Sequence, residues 1–281
     1  MRTAVAFATT TCLMLALGAP ARADEAESQY RICLVHKRAG RMAQALEACD
    51  AAVRLRPSFA AAHFTRGSVL RQLSRFEPAL AAFERAAELR PDDPRAAAMA
   101  GSMLMRLRRW EPAVARLREA LRLDPEDATS WANLGSALRR LGRNDEAIAA
   151  MREGLEHAPE DASLLNNLGV ALRRERRNEE AIPLFERAIA LDGENFELRL
   201  NLAVSLRAAE RWDEAIQHYA RALELRAEHP AALFDLGVCY EQLGQSALAI
   251  EVYERYIRAV ARRDPASAQQ ARDTVQRLRA Q

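Results

Sequence analysis

The sequence predicts an all-α fold, an α-solenoid of seven tandem helix-turn-helix repeats closed by a C-terminal helix. The first reason is composition: 49% of the 281 residues are hydrophobic but only 6% are aromatic, and alanine, leucine, arginine and glutamate dominate. These residues are strong helix formers. The second reason is a 34-residue period, and the third is a set of small residues that recurs in register with it.

Residues 1–23 have the organisation of a secretory signal peptide. Arg2 gives a positive start, residues 4–18 are uncharged and apolar, and alanines occupy the two positions that a signal peptidase reads. We expect cleavage after Ala23, a mature chain that begins at Asp24, and a periplasmic location, with full secretion as the alternative. The apolar run is too short for a permanent membrane anchor, and no other segment is apolar enough to provide one.

Removal of this segment changes the charge balance. Without Arg2 and Arg22, the mature chain has 39 basic and 39 acidic side chains. A neutral protein has no bulk attraction to nucleic acid or to a membrane surface. We therefore expect no nucleic-acid partner.

The mature chain aligns with itself in rows of 34 residues, without insertion or deletion. The rows start at Ala26, Ala60, Pro94, Ala128, Ala162, Phe196 and Pro230. The twentieth position is alanine in every row: Ala45, Ala79, Ala113, Ala147, Ala181, Ala215 and Ala249. Internal repetition at such a period is typical of solenoids.

Each row has the pattern of a helical hairpin. Apolar residues at row positions four, seven, eight and eleven follow one helix face, as in Trp131, Leu134 and Leu138. A second helix carries alanine at twenty and a bulky residue at twenty-four. Glycine at position eight costs about 1 kcal/mol in a helix, so we expect it to face the alanine and allow close approach of the two helices. Proline near the row end stops the second helix.

These rows resemble tetratricopeptide repeats, whose pattern has small residues at positions eight, twenty and twenty-seven and proline at thirty-two. The resemblance covers residues 26–263 and implies a right-handed solenoid over residues 24–263. Arg66 and Arg199 depart from it at positions that are usually apolar. After the repeats, Asp264 and Pro265 predict the start of a capping helix over residues 264–281.

The cysteines left after cleavage are Cys33, Cys49 and Cys239. Cys33 occupies position eight of the first row and Cys49 occupies position twenty-four, which face each other across a hairpin. A disulfide there would add about 3 kcal/mol. A disulfide and two separate buried thiols both fit the sequence.

No catalytic chemistry is evident. The five histidines have no metal-ligand spacing, and the sequence contains no phosphate-binding glycine loop, nucleophile elbow or zinc-protease motif. Paired acids such as Asp145 and Glu146 lie in the first turn of second helices, where they favour the helix dipole. We predict a protein that is not an enzyme and that needs no cofactor or metal.

The helix face opposite the core predicts a binding surface. Position six is asparagine in three consecutive rows, Asn133, Asn167 and Asn201. Each amide has one acceptor and two donors, enough to bond a peptide unit. This stretch, above all Asn166–Arg174, is similar to the asparagine-ladder repeats of the O-linked N-acetylglucosamine transferase superhelix. The resemblance implies an extended peptide bound in a concave groove; the transferase domain is absent.

Arginines follow the asparagines on that face. The predicted peptide-binding arginines are Arg106, Arg139, Arg140, Arg173, Arg174 and Arg207. Guanidinium groups match carboxylates, so we expect an acidic or C-terminal-carboxylate feature in the ligand. An alternative explanation is that cations in the last turn of a helix favour its dipole.

Three functional classes fit the sequence. The first is a non-catalytic adaptor or scaffold in the cell envelope that binds an extended segment of a protein partner. The second is a self-associating structural module, and the third is an accessory subunit of an envelope enzyme or a secretion or pilus complex. The sequence does not name the partner, because repeat arrays serve many systems.

Overall fold

The computed structural model describes residues 19–280, which form fifteen α-helices and no strand. The helices belong to two compact units, unit 1 up to Asp124 and unit 2 from Pro125. The prediction of an all-α array of tandem helical repeats is confirmed. Of the predicted signal peptide, residues 1–18 lie outside the described residues, and residues 19–23 begin the first helix.

Unit 1 contains three hairpins. Its helices are α1 (Ala19–Arg38), α2 (Met42–Leu55), α3 (Ala60–Gln72), α4 (Phe76–Leu89), α5 (Pro94–Arg106) and α6 (Trp110–Leu123). Each odd-numbered helix packs against the helix that follows it, and the second helix of one hairpin packs against the first helix of the next. This stacking buries apolar faces that one hairpin leaves exposed.

Unit 2 contains four hairpins and a final helix. Its helices are α7 (Ala128–Arg140), α8 (Asn144–His157), α9 (Ala162–Arg174), α10 (Asn178–Leu191), α11 (Phe196–Ala208), α12 (Trp212–Leu225), α13 (Pro230–Gln242), α14 (Ser246–Val260) and α15 (Pro265–Arg279). The helix α15 packs against α14 through a buried stripe of Ala268, Ala271, Val275 and Leu278. Asp264 caps its N-terminus by accepting a hydrogen bond from the Ser267 amide.

Every hairpin turns through a residue in the left-handed conformation at row position fifteen. In unit 2 this residue is glycine twice, Gly142 and Gly244, but Arg176 and Glu210 adopt the same positive φ. The amide three residues beyond the first helix then bonds back to that helix, as from Arg143 to the Leu138 carbonyl at 3.0 Å. This bond fixes where the second helix starts.

The glycine at position eight allows the close approach that the sequence predicts, but its partner differs from the expected one. A Cβ atom added at Gly135 would lie 2.6 Å from Met151 Cγ, and one added at Gly169 would lie 2.7 Å from Phe185 Cε1. The neighbour is therefore the bulky side chain at position twenty-four rather than the alanine at twenty. Because that side chain fills the space above the glycine, the two positions must change together.

The first hairpin replaces this contact with a covalent bond. Cys33 and Cys49 occupy positions eight and twenty-four, and their sulfur atoms are joined at 2.05 Å, with the Cα atoms 5.2 Å apart. Both cysteines are fully buried, beside Ala45, Ala48 and Val69. Cys239, in unit 2, is free, and burial raises the pKa of its thiol to about 12.

Candidate peptide-binding face

The first helices of unit 2 form one side of its stack of repeats. Consecutive first helices contact one another, α7 with α9, α9 with α11 and α11 with α13, whereas no consecutive second helices of this unit are in comparable contact. The first helices therefore lie on the inner side of the curve that these four repeats make. Their apolar positions, such as Leu134, Leu168 and Leu202, are buried against the second helices.

Row position six of these helices forms a column along the inner side, which we call column six. Its members in unit 2 are Asn133, Asn167, Asn201 and Asp235, and all four are half-buried. Within the described part of the chain, the side-chain amides of Asn133 and Asn167 have no hydrogen-bond partner. A half-buried amide without a partner loses free energy that a ligand can restore.

Asn201 differs from the two asparagines before it. Its Nδ2 donates to Asn166 Oδ1 at 2.9 Å, and its Oδ1 accepts a long bond of 3.4 Å from Arg173 Nη2. The sequence-based prediction missed this role of Asn166, because it considered the asparagines of column six alone. The third amide is thus engaged inside the protein rather than open to a ligand.

Asp235 closes the column in the last repeat. Its Oδ2 accepts a hydrogen bond of 3.0 Å from the Tyr219 hydroxyl, and Arg207 Nε lies 3.6 Å from its Oδ1. Burial and then the Asp235 carboxylate raise the pKa of Tyr219 above its ordinary value. Burial lowers the pKa of Arg207, but Asp235 and Tyr219 raise it, and the net shift is upward. Arg207 was predicted to bind peptide, yet it has an internal partner.

The arginines of repeats four and five have a different environment. Arg139 and Arg173 are half-buried, Arg140 and Arg174 are exposed, and Arg139, Arg173 and Arg174 have no carboxylate within 4.0 Å among the described residues. Burial lowers the pKa of Arg139, and the charges of Arg174 and Arg140 lower it further. Burial and then Arg174 lower the pKa of Arg173. This group has an excess of positive charge that favours an anion.

The remaining predicted residue, Arg106, belongs to unit 1. It is the last residue of α5, it is exposed, and its guanidinium carbon lies 6.0 Å from the centre of the Phe76 ring. Column six of unit 1 has Arg31, Thr65 and Met99 in place of asparagine. The amide face is therefore a feature of unit 2 alone.

Residues 19–280 contain neither a metal-ligand cluster nor a membrane-spanning helix. No group of three histidine, cysteine, aspartate or glutamate side chains there has a metal-binding arrangement. Over the same residues, no helix combines the length and apolarity that a membrane crossing requires.

Family models place the chain among helical repeat proteins. Residues 4–232 match the model described as the cilia and flagella-associated protein 70 C-terminal domain, and residues 200–272 match a tetratricopeptide repeat model. No curated protein sequence matches the chain.

Several solved structures are similar. The C-terminal part of a tetratricopeptide repeat-containing protein from Cytophaga hutchinsonii has 16% identity and a TM-score of 0.71, over 86% of this chain and 98% of that one. PilF from Pseudomonas aeruginosa has 20% identity and a TM-score of 0.62, over 80% and 98%. YrrB, described as a tetratricopeptide-repeat protein with an unusual peptide-binding site, has 22% identity and a TM-score of 0.56, over 67% and 97%. At these identities, the similarity shows the fold alone.

Proposed function

The chain belongs to the family of helical repeat domains described as the cilia and flagella-associated protein 70 C-terminal domain, and on that premise we propose that it is a non-catalytic adaptor. It binds an extended segment of a protein partner along the first helices of unit 2. The observation that carries this proposal is the pair of half-buried, unpartnered amides of Asn133 and Asn167 in consecutive repeats.

The spacing of these amides suits an extended peptide. Packed helices lie about 8–10 Å apart, and an extended chain advances about 3.3–3.6 Å per residue. One repeat therefore corresponds to about two to three residues of ligand, so that asparagines of consecutive repeats can each meet a peptide unit. An amide that both donates and accepts can bond the N–H and C=O groups of that unit without reading its side chains.

Two further observations support the proposal. Arg139, Arg173 and Arg174 have no carboxylate within 4.0 Å among the described residues, which favours a segment with an acidic or C-terminal-carboxylate feature. YrrB has a similar fold and a peptide-binding site by its description. The partner and its process are not specified by either observation.

Selection from a displayed library of random dodecapeptides tests this function, using protein expressed from the complete sequence. We expect bound peptides whose affinity falls about tenfold in Asn133→Ala/Asn167→Ala, since each lost hydrogen bond costs about 0.5–1.5 kcal/mol. The matched control is Gln217→Ala/Gln276→Ala, which removes two exposed amides from helices α12 and α15. Equal affinity in the two double variants, or no selected peptide, would contradict the proposal.

We also propose that the adaptor is exported to the periplasm. The signal-like N-terminus and the buried Cys33–Cys49 pair support this location, because disulfides persist in oxidising compartments. Mass spectrometry of unreduced protein from the periplasm should find a chain that starts at Asp24 and a linked Cys33–Cys49 peptide. A chain that retains residues 1–23 and carries two free thiols would reject export.

Self-association is the second candidate function. Ile32 and Val35 of α1 are exposed to 40% and 57%, on the first hairpin of unit 1. Apolar residues at the end of a repeat array favour burial against another surface. Light scattering over a range of concentrations separates the candidates, since a concentration-dependent mass favours the structural module.

A further inference from the structure

The predicted peptide-binding arginines of unit 2 differ in whether they have an internal partner. The guanidinium of Arg207 has the Asp235 carboxylate 3.6 Å away, and Arg173 donates to Asn201. Arg139 and Arg174 have no hydrogen bond, ion pair or ring contact within the residues that the structure describes. Among the predicted peptide-binding arginines of unit 2, Arg139 and Arg174 are therefore the two that are available to a ligand.

Arg139 and Arg174 line the same cavity, which lies between repeats four and five and has a volume of about 420 Å³. The ends of α7 and α9 contribute the two arginines, and the start of α8 contributes Asn144. The rest of the lining is Gly142, Ala147, Ala171 and Glu175. A liquid water molecule occupies about 30 Å³, so the cavity has room for a side-chain group together with its hydrating water.

The charges of the lining indicate what this group is. Two arginines and one glutamate leave an excess of one positive charge, and the Glu175 carboxylate already accepts a hydrogen bond from Asn144 Nδ2 at 2.6 Å. Burial lowers the pKa of Arg139, repulsion from Arg174 and Arg140 lowers it further, and an anion between Arg139 and Arg174 would offset that repulsion. A single negative charge balances the lining, which favours a carboxylate over a phosphate dianion.

We infer that the cavity between repeats four and five binds one carboxylate of the partner segment through Arg139 and Arg174. That the carboxylate belongs to a partner segment rests on the proposed function. The carboxylate fixes the register of the segment. The unpartnered amides of Asn133 and Asn167 lie on the same two helices, but they would bond only the backbone of the segment, which is alike at every residue. An acidic side chain and a chain terminus offer the same chemistry here.

Small carboxylates test the site without knowledge of the partner. The probes are N-acetylglutamate α-methylamide, which has only a side-chain carboxylate, and N-acetylalanine, which has only a terminal one. The neutral N-acetylglutamine α-methylamide is the blank. We expect saturable NMR shifts of the Arg139 and Arg174 side-chain N–H signals with at least one carboxylate. The probe that binds more tightly identifies the source.

The variant Arg139→Gln/Arg174→Gln should weaken the binding of that probe at least tenfold, since it removes the charged donors. The charge-matched control Arg152→Gln/Arg187→Gln, in exposed positions of α8 and α10, should leave binding unchanged. Thermal unfolding of Arg139→Gln/Arg174→Gln at the wild-type temperature excludes a folding defect. The inference is overturned if neither carboxylate shifts the arginine signals, if the blank shifts them equally, or if the double variant binds normally.

The outcomes also separate this inference from the proposed function. Carboxylate binding at Arg139 and Arg174 without any selected dodecapeptide supports the site and rejects the peptide adaptor. A selected acidic peptide whose affinity is the same in Arg139→Gln/Arg174→Gln and in its control overturns the site and leaves the adaptor in place.

Discussion

The two halves of column six occupy the same helical register but differ in their partners. In repeats four and five, Asn133 and Asn167 have none among the described residues, whereas in repeats six and seven Asn201 and Asp235 are held by neighbouring helices. The partner that differs is the arginine 28 residues earlier in the chain: Arg173 reaches Asn201, and Arg207 reaches Asp235. A position that serves a ligand in one repeat can therefore stabilise the fold in the next.

Among substitutions in column six, replacement of Asp235 should change the free energy of unfolding most. Asp235→Ala leaves the Tyr219 hydroxyl and the half-buried Arg207 guanidinium without their acceptor, which we expect to lower the free energy of unfolding by about 3 kcal/mol. Urea unfolding measures this loss. Asp213→Ala, in an exposed position of α12, is the control and should change little. Equal losses in the two variants would show that Asp235 is not a structural member of the column.

Alkaline pH should reduce the stability that column six contributes in repeats six and seven, where Tyr219 donates to Asp235. The pKa of Tyr219 is raised in the folded protein, and an unfolded tyrosine titrates near pH 10. The stabilisation is therefore complete below about pH 10 and is lost as the pH rises above it, by at most about 1.4 kcal/mol per pH unit for one proton. Tyr219→Phe should reduce the slope of unfolding free energy against pH above 10. An unchanged slope would contradict the role of this hydroxyl.

Asn201 should show a smaller cost. Asn201→Ala removes the bonds to Asn166 and Arg173, each worth about 0.5–1.5 kcal/mol, but gains helix propensity, so we expect a net loss of about 1 kcal/mol. A double-mutant cycle with Asn166→Ala isolates the Asn166–Asn201 bond. Additive effects of the two substitutions would mean that this bond does not stabilise the protein, and that the third amide is as open as the first two.

The sequence predicted the fold in detail because a 34-residue period and small residues at fixed positions constrain a hairpin strongly. It did not reveal the left-handed residue of each turn, since Arg176 and Glu210 stand where other rows have glycine. Such residues are disfavoured by about 1–2 kcal/mol there, and the repeat imposes them through its tertiary packing. A local propensity argument cannot detect that.

The sequence predicted that Asn133, Asn167 and Asn201 share one face, but it did not predict the internal contacts of Asn201 or the contribution of Asp235. The contacts that occupy Asn201 and Asp235 come from residues 28, 35 and 16 positions away, on other helices. Whether such pairs meet depends on how consecutive repeats pack and on which rotamer each long side chain adopts. Asp235 in the seventh row was a usable signal, because a carboxylate attracts the Arg207 guanidinium more strongly than an amide does.

Substitutions in repeats four and five, where Asn133 and Asn167 have no internal partner, should change the free energy of unfolding in the opposite direction and by the smallest amount. In Asn133→Ala and Asn167→Ala no internal hydrogen bond is lost, and alanine is the better helix former, so each should raise the free energy of unfolding by about 0.5 kcal/mol. Calorimetry can detect the sum in the double variant. An asparagine that costs helix stability and forms no internal hydrogen bond among the described residues is consistent with a role in binding. If the double variant is instead less stable than the wild type, these amides have an internal role, and the two halves of the column are alike.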